Sequence, residues 1–254
     1  MKSALTIAGS DPTGGAGLQA DLKVFRAFGI HGLSVSTALT AQNTASIEDI
    51  LPVEPNFFER QMETLLSDIK PDAVKIGMIF SESLVSIIAD SIKRYSLYNI
   101  VVDPVTVSST GFGLVDSGTL DRVRDVLFPL SMVVTPNIYE ATVLTGVNIE
   151  NEADMQEAAR KLKDMGPQVV VITGGHLERI TMDLYYDGYD FQRIESYKIK
   201  GEYHGTGCVF SSAIAAALAT GYSPLESVRR AKGFVTDAIS KAYHIGKGLG
   251  ILQV

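Results

Sequence analysis

The chain carries one cysteine, Cys208, in 254 residues. That excludes an internal disulfide framework and any Cys-x-x-Cys metal or redox motif. The four histidines, His31, His176, His204 and His244, are too scattered to make a two-histidine helical metal site. No apolar run approaches the roughly 18 residues of a membrane span. The apolar opening "MKSALTIAGSDPTGG" is far too short for a signal peptide. Positive charge is in deficit, with 22 Lys and Arg against 29 Asp and Glu, a net charge of -7, and no basic block. Nucleic acid and anionic membrane are therefore not expected partners, and a bound polyanion would need local help from helix ends, a few lysines or a metal. No linker, repeat or low-complexity stretch interrupts the chain. The expectation is one soluble cytoplasmic domain over residues 1–254, and a 46% hydrophobic composition is enough for a large core.

Short β-branched runs alternate with longer helical patterns. "ALTIA" (4–8), "LSVSTA" (33–38), "AVKIG" (73–77), "NIVVD" (99–103), "SMVVT" (131–135) and "QVVVIT" (168–173) are nearly continuous apolar runs, as strands covered on both faces should be. Leu18, Leu22, Phe25 and Phe28 recur at helical spacing, as do Met155, Ala158, Ala159 and Leu162. This rhythm predicts an α/β fold with a mainly parallel sheet between helices. Segment 182–199 differs: two β-rich runs flank Asp187-Gly188, which predicts an edge hairpin. Helical segments are expected over 207–220 and 224–243.

In open parallel sheets, ligands lie beyond the carboxyl ends of the strands. Gly9-Ser10-Asp11, Gln42-Asn43, Gly77-Met78, Asp103, Asn137, Glu140 and Gly174-Gly175 all fall there, so one shared cleft is the economical reading. Gly15-Ala-Gly17-Leu-Gln-Ala20 imitates a dinucleotide fingerprint. The loop before it is too long, however, and the acidic ribose ligand expected about 20 residues later is missing, which argues against an NAD-dependent oxidoreductase. "HGTGC" (204–208) is more informative. Gly205 and Gly207 can expose backbone N–H groups, and a helix starts immediately after them, which makes an anion site. Cys208 in that first turn is expected to have its thiolate favoured; the alternatives are a buried small hydrophobe or a cysteine hydrolase using His204 as base. Asn137 and Glu140, three apart after a strand, suit either water-mediated Mg²⁺ binding or a helix capping box, and the two are compatible. Asp103 is either a turn residue or a second carboxylate of a metal–phosphate site.

Taken in order, "ALTIAGSDPTGGAGLQADLK", "ALTAQNT", "VKIGM", "VVDPV", "TPNIYEA", "VVITGGH" and "HGTGCVFSSAIAAAL" resemble the hydroxymethylpyrimidine phosphate kinases of the ribokinase-like superfamily, from residue 4 to about 250. The resemblance implies a three-layer α/β/α sandwich. It also implies MgATP-dependent phosphorylation of 4-amino-5-hydroxymethyl-2-methylpyrimidine, and then of its monophosphate, for thiamin synthesis. By the same resemblance Cys208 is the proton acceptor, and Gly205, Thr206 and Gly207 form the anion hole. Gln42 is the pyrimidine-reading residue, with an amide able to donate and accept at once. Gly9, Asp21 and Met78 align near the ring. Asp103, Asn137, Thr173 and Gly175 align near the nucleotide, and Glu140 reaches Mg²⁺ through water. A homodimer is implied in the same way. Two positions depart from the usual pattern: Ser109 and Thr173 stand where relatives often carry lysine, which bears on the second phosphorylation. Lys75 and Lys241 are candidate replacements for that charge. The chain is not expected to carry a fused thiamin-phosphate synthase. The rivals are a pyridoxal kinase of the same fold and a non-catalytic pyrimidine-binding regulator.

Overall fold

The computed structural model describes residues 1–105, 117–174 and 180–254. In chain order the elements are β1 (Ser3–Ser10), α1 (Gly17–Ala27), β2 (His31–Gln42), β3 (Ile47–Pro52), α2 (Pro55–Leu66), β4 (Ala73–Ile76), α3 (Glu82–Arg94), β5 (Ile100–Val102), α4 (Ser117–Arg122), β6 (Val133–Val134), α5 (Ile138–Thr145), α6 (Glu152–Asp164), β7 (Val169–Ile172), β8 (Ile180–Tyr186), β9 (Phe191–Tyr197), β10 (Tyr203–His204), α7 (Thr206–Ala219), α8 (Pro224–Ser240) and β11 (Gly250–Ile251). Among the described residues nine strands form one sheet in the order β3-β2-β1-β4-β5-β6-β7-β8-β9. The interior of this sheet, from β2 to β7, is parallel. β3 pairs antiparallel at one edge, and β8 and β9 do so at the other.

Alternation along the strands separates the two faces. Leu5 and Ile7 of β1 and Val74 and Ile76 of β4 pack with Phe58, Met62, Leu84, Ile88 and Met155 of α2, α3 and α6. Ala4, Ala73, Val101 and Val133 face the other way, onto Val24, Phe25, Ile214 and Val228 of α1, α7 and α8. The result is the expected helix–sheet–helix sandwich. Lys75 shares the parity of Ala73, so its ammonium points into the α1–α7 layer. α7 is buried at every residue from Val209 to Ala219. Its alanines and serines let it lie against α1, α8 and the sheet together, as a helix apolar all round must.

The apolar strands and the hairpin lie close to their expected positions. β2 runs four residues past "LSVSTA", because Leu39–Gln42 pair with β3 instead of being sandwiched. β3 itself was not expected: "IEDILP" carries two acids and is exposed over most of its length, as an edge strand can be. The short strands β10 and β11 pair Tyr203 with Gly250 and His204 with Ile251. No helix among the described residues is long and apolar enough to cross a membrane.

Candidate active site

The carboxyl ends of β1, β4, β5 and β6 and the start of α7 enclose a cavity of about 630 Å³. Gly9, Gln42 and Met78 line one end. Asn137, Glu140 and Thr173 line the other, and Asp103, Gly205, Thr206, Gly207 and Cys208 lie between them. Two helix starts meet at the sulfur. Cys208 stands in the first turn of α7, and the backbone N–H of Gly17, the first residue of α1, donates to its thiol. Each start brings unpaired N–H groups and positive dipole to the same point.

Local backbone geometry makes this meeting possible. Gly205, the N-cap of α7, has φ +80°, and a Cβ there would lie 1.9 Å from the Gly15 carbonyl oxygen. Gly17 has φ +57°, and a Cβ there would lie 2.4 Å from the Gly9 carbonyl oxygen. Only glycine tolerates both the conformation and the contact. Asp11 folds the intervening loop. Its carboxylate accepts from the Thr13 N–H and hydroxyl, from the Ala16 N–H and from His204 Nε2, at 2.8–2.9 Å. Burial opposes that charge, but the bonds from His204 and Thr13 outweigh it and hold the Asp11 carboxyl below its ordinary range.

A buried ion pair forms part of the cavity floor, with Lys75 in the lining and Asp21 behind it. Lys75 Nζ donates to both Asp21 oxygens at 2.9 and 3.1 Å, and the Thr6 and Ser212 hydroxyls donate to the same carboxylate at 2.5 Å. Lys75 and Asp21 are both wholly buried. Burial alone would discharge Lys75, but Asp21, helped by Cys208 and Asp103, overrides it and raises the lysine's pKa. Asp103 is buried beside α7 and accepts from the Ser211 hydroxyl at 3.0 Å; burial raises its carboxyl against the pull of Lys75.

The electrostatics around Cys208 correct one expectation. A helix start favours a thiolate, yet here the thiol is pushed up to about 11. Burial is the largest cause, opposed by Lys75 and the Gly17 N–H and reinforced by the Asp21 and Asp103 carboxylates. The residue keeps some surface toward the cavity, but the sulfur sits deep, among more negative than positive charge. At neutral pH the free site holds a thiol.

A scan against family models matches residues 11–253 to phosphomethylpyrimidine kinase. The chain belongs to that family. It is 46% identical over 250 residues to the thiamine biosynthesis bifunctional protein of Geobacter sulfurreducens, an alignment covering 98% of this chain and 51% of that one. It is 38% identical over 250 residues to the hydroxymethylpyrimidine/phosphomethylpyrimidine kinase of Bacillus subtilis, covering 97% and 92%. The chain thus spans about half the length of the bifunctional relatives it matches. Among solved structures, the pyridoxal kinase of Staphylococcus aureus in complex with AMP-PCP and pyridoxal superposes with a TM-score of 0.92 at 37% identity, covering 99% of this chain and 93% of that one.

Of the residues aligned with the family's site, the cavity gathers Gly9, Gln42, Met78, Asp103, Asn137, Glu140, Thr173 and the 205–208 turn. Asp21 is not among its lining residues: instead of flanking a ring it anchors Lys75 behind the wall. Gly175 and Ser109 lie outside the described residues. Asn137 caps α5, accepting from the Glu140 N–H while Glu140 accepts from the Asn137 N–H, both at 2.9 Å, so the capping box is present. Glu140 is nonetheless buried against the cavity, so capping and ligand binding are compatible. Lys241 is remote and pairs with Asp237 at the surface. Sequence reasoning left Lys75 unplaced, although a lysine inside a wholly apolar strand was its signal. The second cation it missed is Lys232, which pairs with Asp183 at 2.8 Å. Asp183 in turn accepts from the Gly174 N–H at the turn after β7.

Proposed function

We propose that residues 1–254 form one kinase domain that transfers the γ-phosphoryl group of ATP to the hydroxymethyl group of 4-amino-5-hydroxymethyl-2-methylpyrimidine, and then to the resulting monophosphate, in thiamin synthesis. The observation that carries this reading is the convergence of two helix N-termini on Cys208 in one cavity lined by Gln42 and Met78 and by Asn137 and Glu140. Phosphoryl transfer needs positioning and charge neutralisation above all. The N–H groups of the 205–207 turn face the place where the moving phosphoryl group would gather charge. The substrate oxygen attacks the γ-phosphorus, the bond to the bridging oxygen breaks, ADP leaves, and the hydroxyl proton passes to Cys208 in its thiolate form, the minor form at neutral pH.

A smaller cleft of about 240 Å³ shares Thr173, Thr206 and Gly207 with the cavity and continues between Phe210, Val235 and Ile239. It suits the nucleoside end of ATP, with the phosphates crossing at the shared residues. Magnesium enters such sites with the phosphates and needs only one or two protein carboxylates. Glu140 and Asp103, both buried acids lining the cavity, fit that requirement. When bound, the ion would neutralise charge on the triphosphate.

Lys75, paired with Asp21, offsets that buried carboxylate beside the anion hole, and the charge of the lysines that relatives often carry at the positions of Ser109 and Thr173 is left to the helix starts and Mg²⁺. A homodimer belongs to the same proposal. Leu39 and Leu51, directly opposite each other on β2 and β3 and 51% and 66% exposed, are one apolar pair that could serve it.

A second reading, pyridoxal phosphorylation, is favoured by the close superposition on a kinase structure holding pyridoxal. An ADP-release assay with hydroxymethylpyrimidine, its monophosphate and pyridoxal in parallel tests both readings. Turnover of the first two supports the proposal, and turnover of pyridoxal alone replaces it. Pyrimidine binding with no ADP release would indicate a regulator.

A further inference from the structure

Asp11, His204 and Gln42 form a buried chain of polar contacts along the ring end of the cavity. His204 Nε2 lies 2.9 Å from Asp11 Oδ2 and 3.2 Å from the Gln42 amide nitrogen. Thr40 Oγ1 lies 3.3 Å from the Gln42 amide oxygen and donates its one hydrogen to the Ser10 carbonyl at 2.8 Å. These contacts cannot all be satisfied as placed. An imidazole nitrogen facing a carboxylate must carry a proton, so Nε2 is a donor whatever the charge on the ring. A donor cannot receive the Gln42 NH₂. Likewise Thr40, its hydrogen already spent on Ser10, can only accept from Gln42. A half-turn of the amide resolves both conflicts. The Gln42 oxygen then shares the single Nε2 proton of His204 with Asp11, as the longer arm of a three-centre bond, one of its N–H groups donates to Thr40, and the other is left facing the cavity. His204 Nδ1 has no partner among the described residues, and the imidazole is 5% exposed. A proton there would be a buried donor without an acceptor, which folded proteins rarely carry. The ring is also held from behind: a Cβ on Gly15 would lie 2.7 Å from its Cδ2.

From this juxtaposition we infer that His204, held by Asp11, is a positioning residue that locks Gln42 as a hydrogen-bond donor, so that the site selects hydroxymethyl heteroaromatics presenting an acceptor to it. A pyrimidine ring nitrogen is such an acceptor. So is the phenolic oxygen at C3 of a 3-hydroxypyridine, which makes Gln42 a weaker barrier to pyridoxal than an amide free to donate and accept together. The inference rests on the proposed kinase function for its substrate and on the contact geometry for its donor.

The test has a substrate-free arm and a binding arm. Nitrogen-15 NMR of the wild-type imidazole should show His204 protonated at Nε2. In titrations with hydroxymethylpyrimidine, Gln42→Glu keeps an acceptor for His204 but turns the cavity-facing donor into an acceptor. It should weaken binding at least about tenfold, with a small drop in melting temperature from the lost Thr40 contact and the protein still folded at the assay temperature. His204→Phe, which frees the amide, should raise KM by a similar factor with kcat within about twofold. His204→Gln, whose amide can donate to Asp11 and Gln42 at once, should restore most of the loss. A proton found only on Nδ1, or wild-type pyrimidine binding by Gln42→Glu, overturns the inference. If the wild type binds neither hydroxymethylpyrimidine nor pyridoxal, the functional reading fails instead, and the imidazole measurement still decides the orientation of Gln42.

Discussion

The protonation state of Cys208 can be measured cleanly, because the chain contains no other cysteine. The perturbation is alkylation by iodoacetamide across a pH series, on the folded protein and on the same protein in guanidinium chloride. Only the thiolate reacts. An ordinary thiol, with a pKa near 8.5, is about 24% ionised at pH 8. A thiol pushed up to about 11 is about 0.1% ionised at the same pH. The folded protein should therefore react about 200-fold more slowly than the unfolded one, before any steric protection. Steric protection is separated by the slope. Between pH 8 and 10 the folded rate should climb about tenfold per unit, while the unfolded rate levels off. Mass spectrometry of the intact chain reads the single adduct directly. A folded rate that levels off by pH 8 to 9 would refute the reasoning and show that the two helix dipoles outweigh burial and the neighbouring carboxylates. The sign carries into catalysis. If the thiolate is the base and its pKa is raised, kcat/KM should rise with pH from 7 toward 10 rather than peak near neutrality.

Cys208→Ala should cost about 10²–10⁴ in turnover and leave pyrimidine affinity, measured by titration, almost intact; wild-type turnover, or a kinetically competent phospho-cysteine, would remove the base role. Glu140→Gln preserves the capping box but not the charge. The Mg²⁺ concentration for half-maximal activity should rise about tenfold with little change in melting temperature, whereas unchanged Mg²⁺ dependence with a large drop in melting temperature would make Glu140 a cap alone. Breaking the buried pair from one side, by Asp21→Leu or Lys75→Met, should each cost about 3–5 kcal/mol, a fall of roughly 6–20 °C in Tm for a chain this long. The double substitution should recover most of that loss, and additive losses in differential scanning calorimetry would contradict the pairing.

The strands covered on both faces were legible because burial leaves few ways to write them: β1, β4, β5, β6 and β7 are nearly unbroken apolar runs. β3 was not legible, since its two adjacent acids and mostly exposed residues answer to a free edge rather than to a covered face. The cluster 204–208 was legible as an anion site from its glycines and the helix that follows. The protonation of Cys208 was not, because it depends on Asp21 and Asp103, which are 187 and 105 residues away in the sequence and reach the sulfur only through the sheet. The same distance hid the partner of Asp21. Alignment put that residue beside a ring, while strand parity puts Lys75 beneath it and turns it inward. His204 was weighed only as a base for its neighbour Cys208, yet its ring points instead to Asp11, across a gap that only the contact of Gly205 with Gly15 makes small.

That contact also sets an order of events during synthesis. The loop at 11–17 emerges early and is complete in sequence long before residues 203–208 exist, but its conformation is braced by their backbone and by His204. β1, moreover, sits inside the sheet, between β2 and β4, rather than at an edge. A growing chain can pair these strands early, yet it has no anion hole, no buried floor and no orienting histidine until α7 has left the ribosome. The nascent protein is therefore largely built and wholly inert for most of its translation. Any stall before α7 exposes the α1 side of the sheet, a broad apolar face of the kind that makes partly folded chains aggregate.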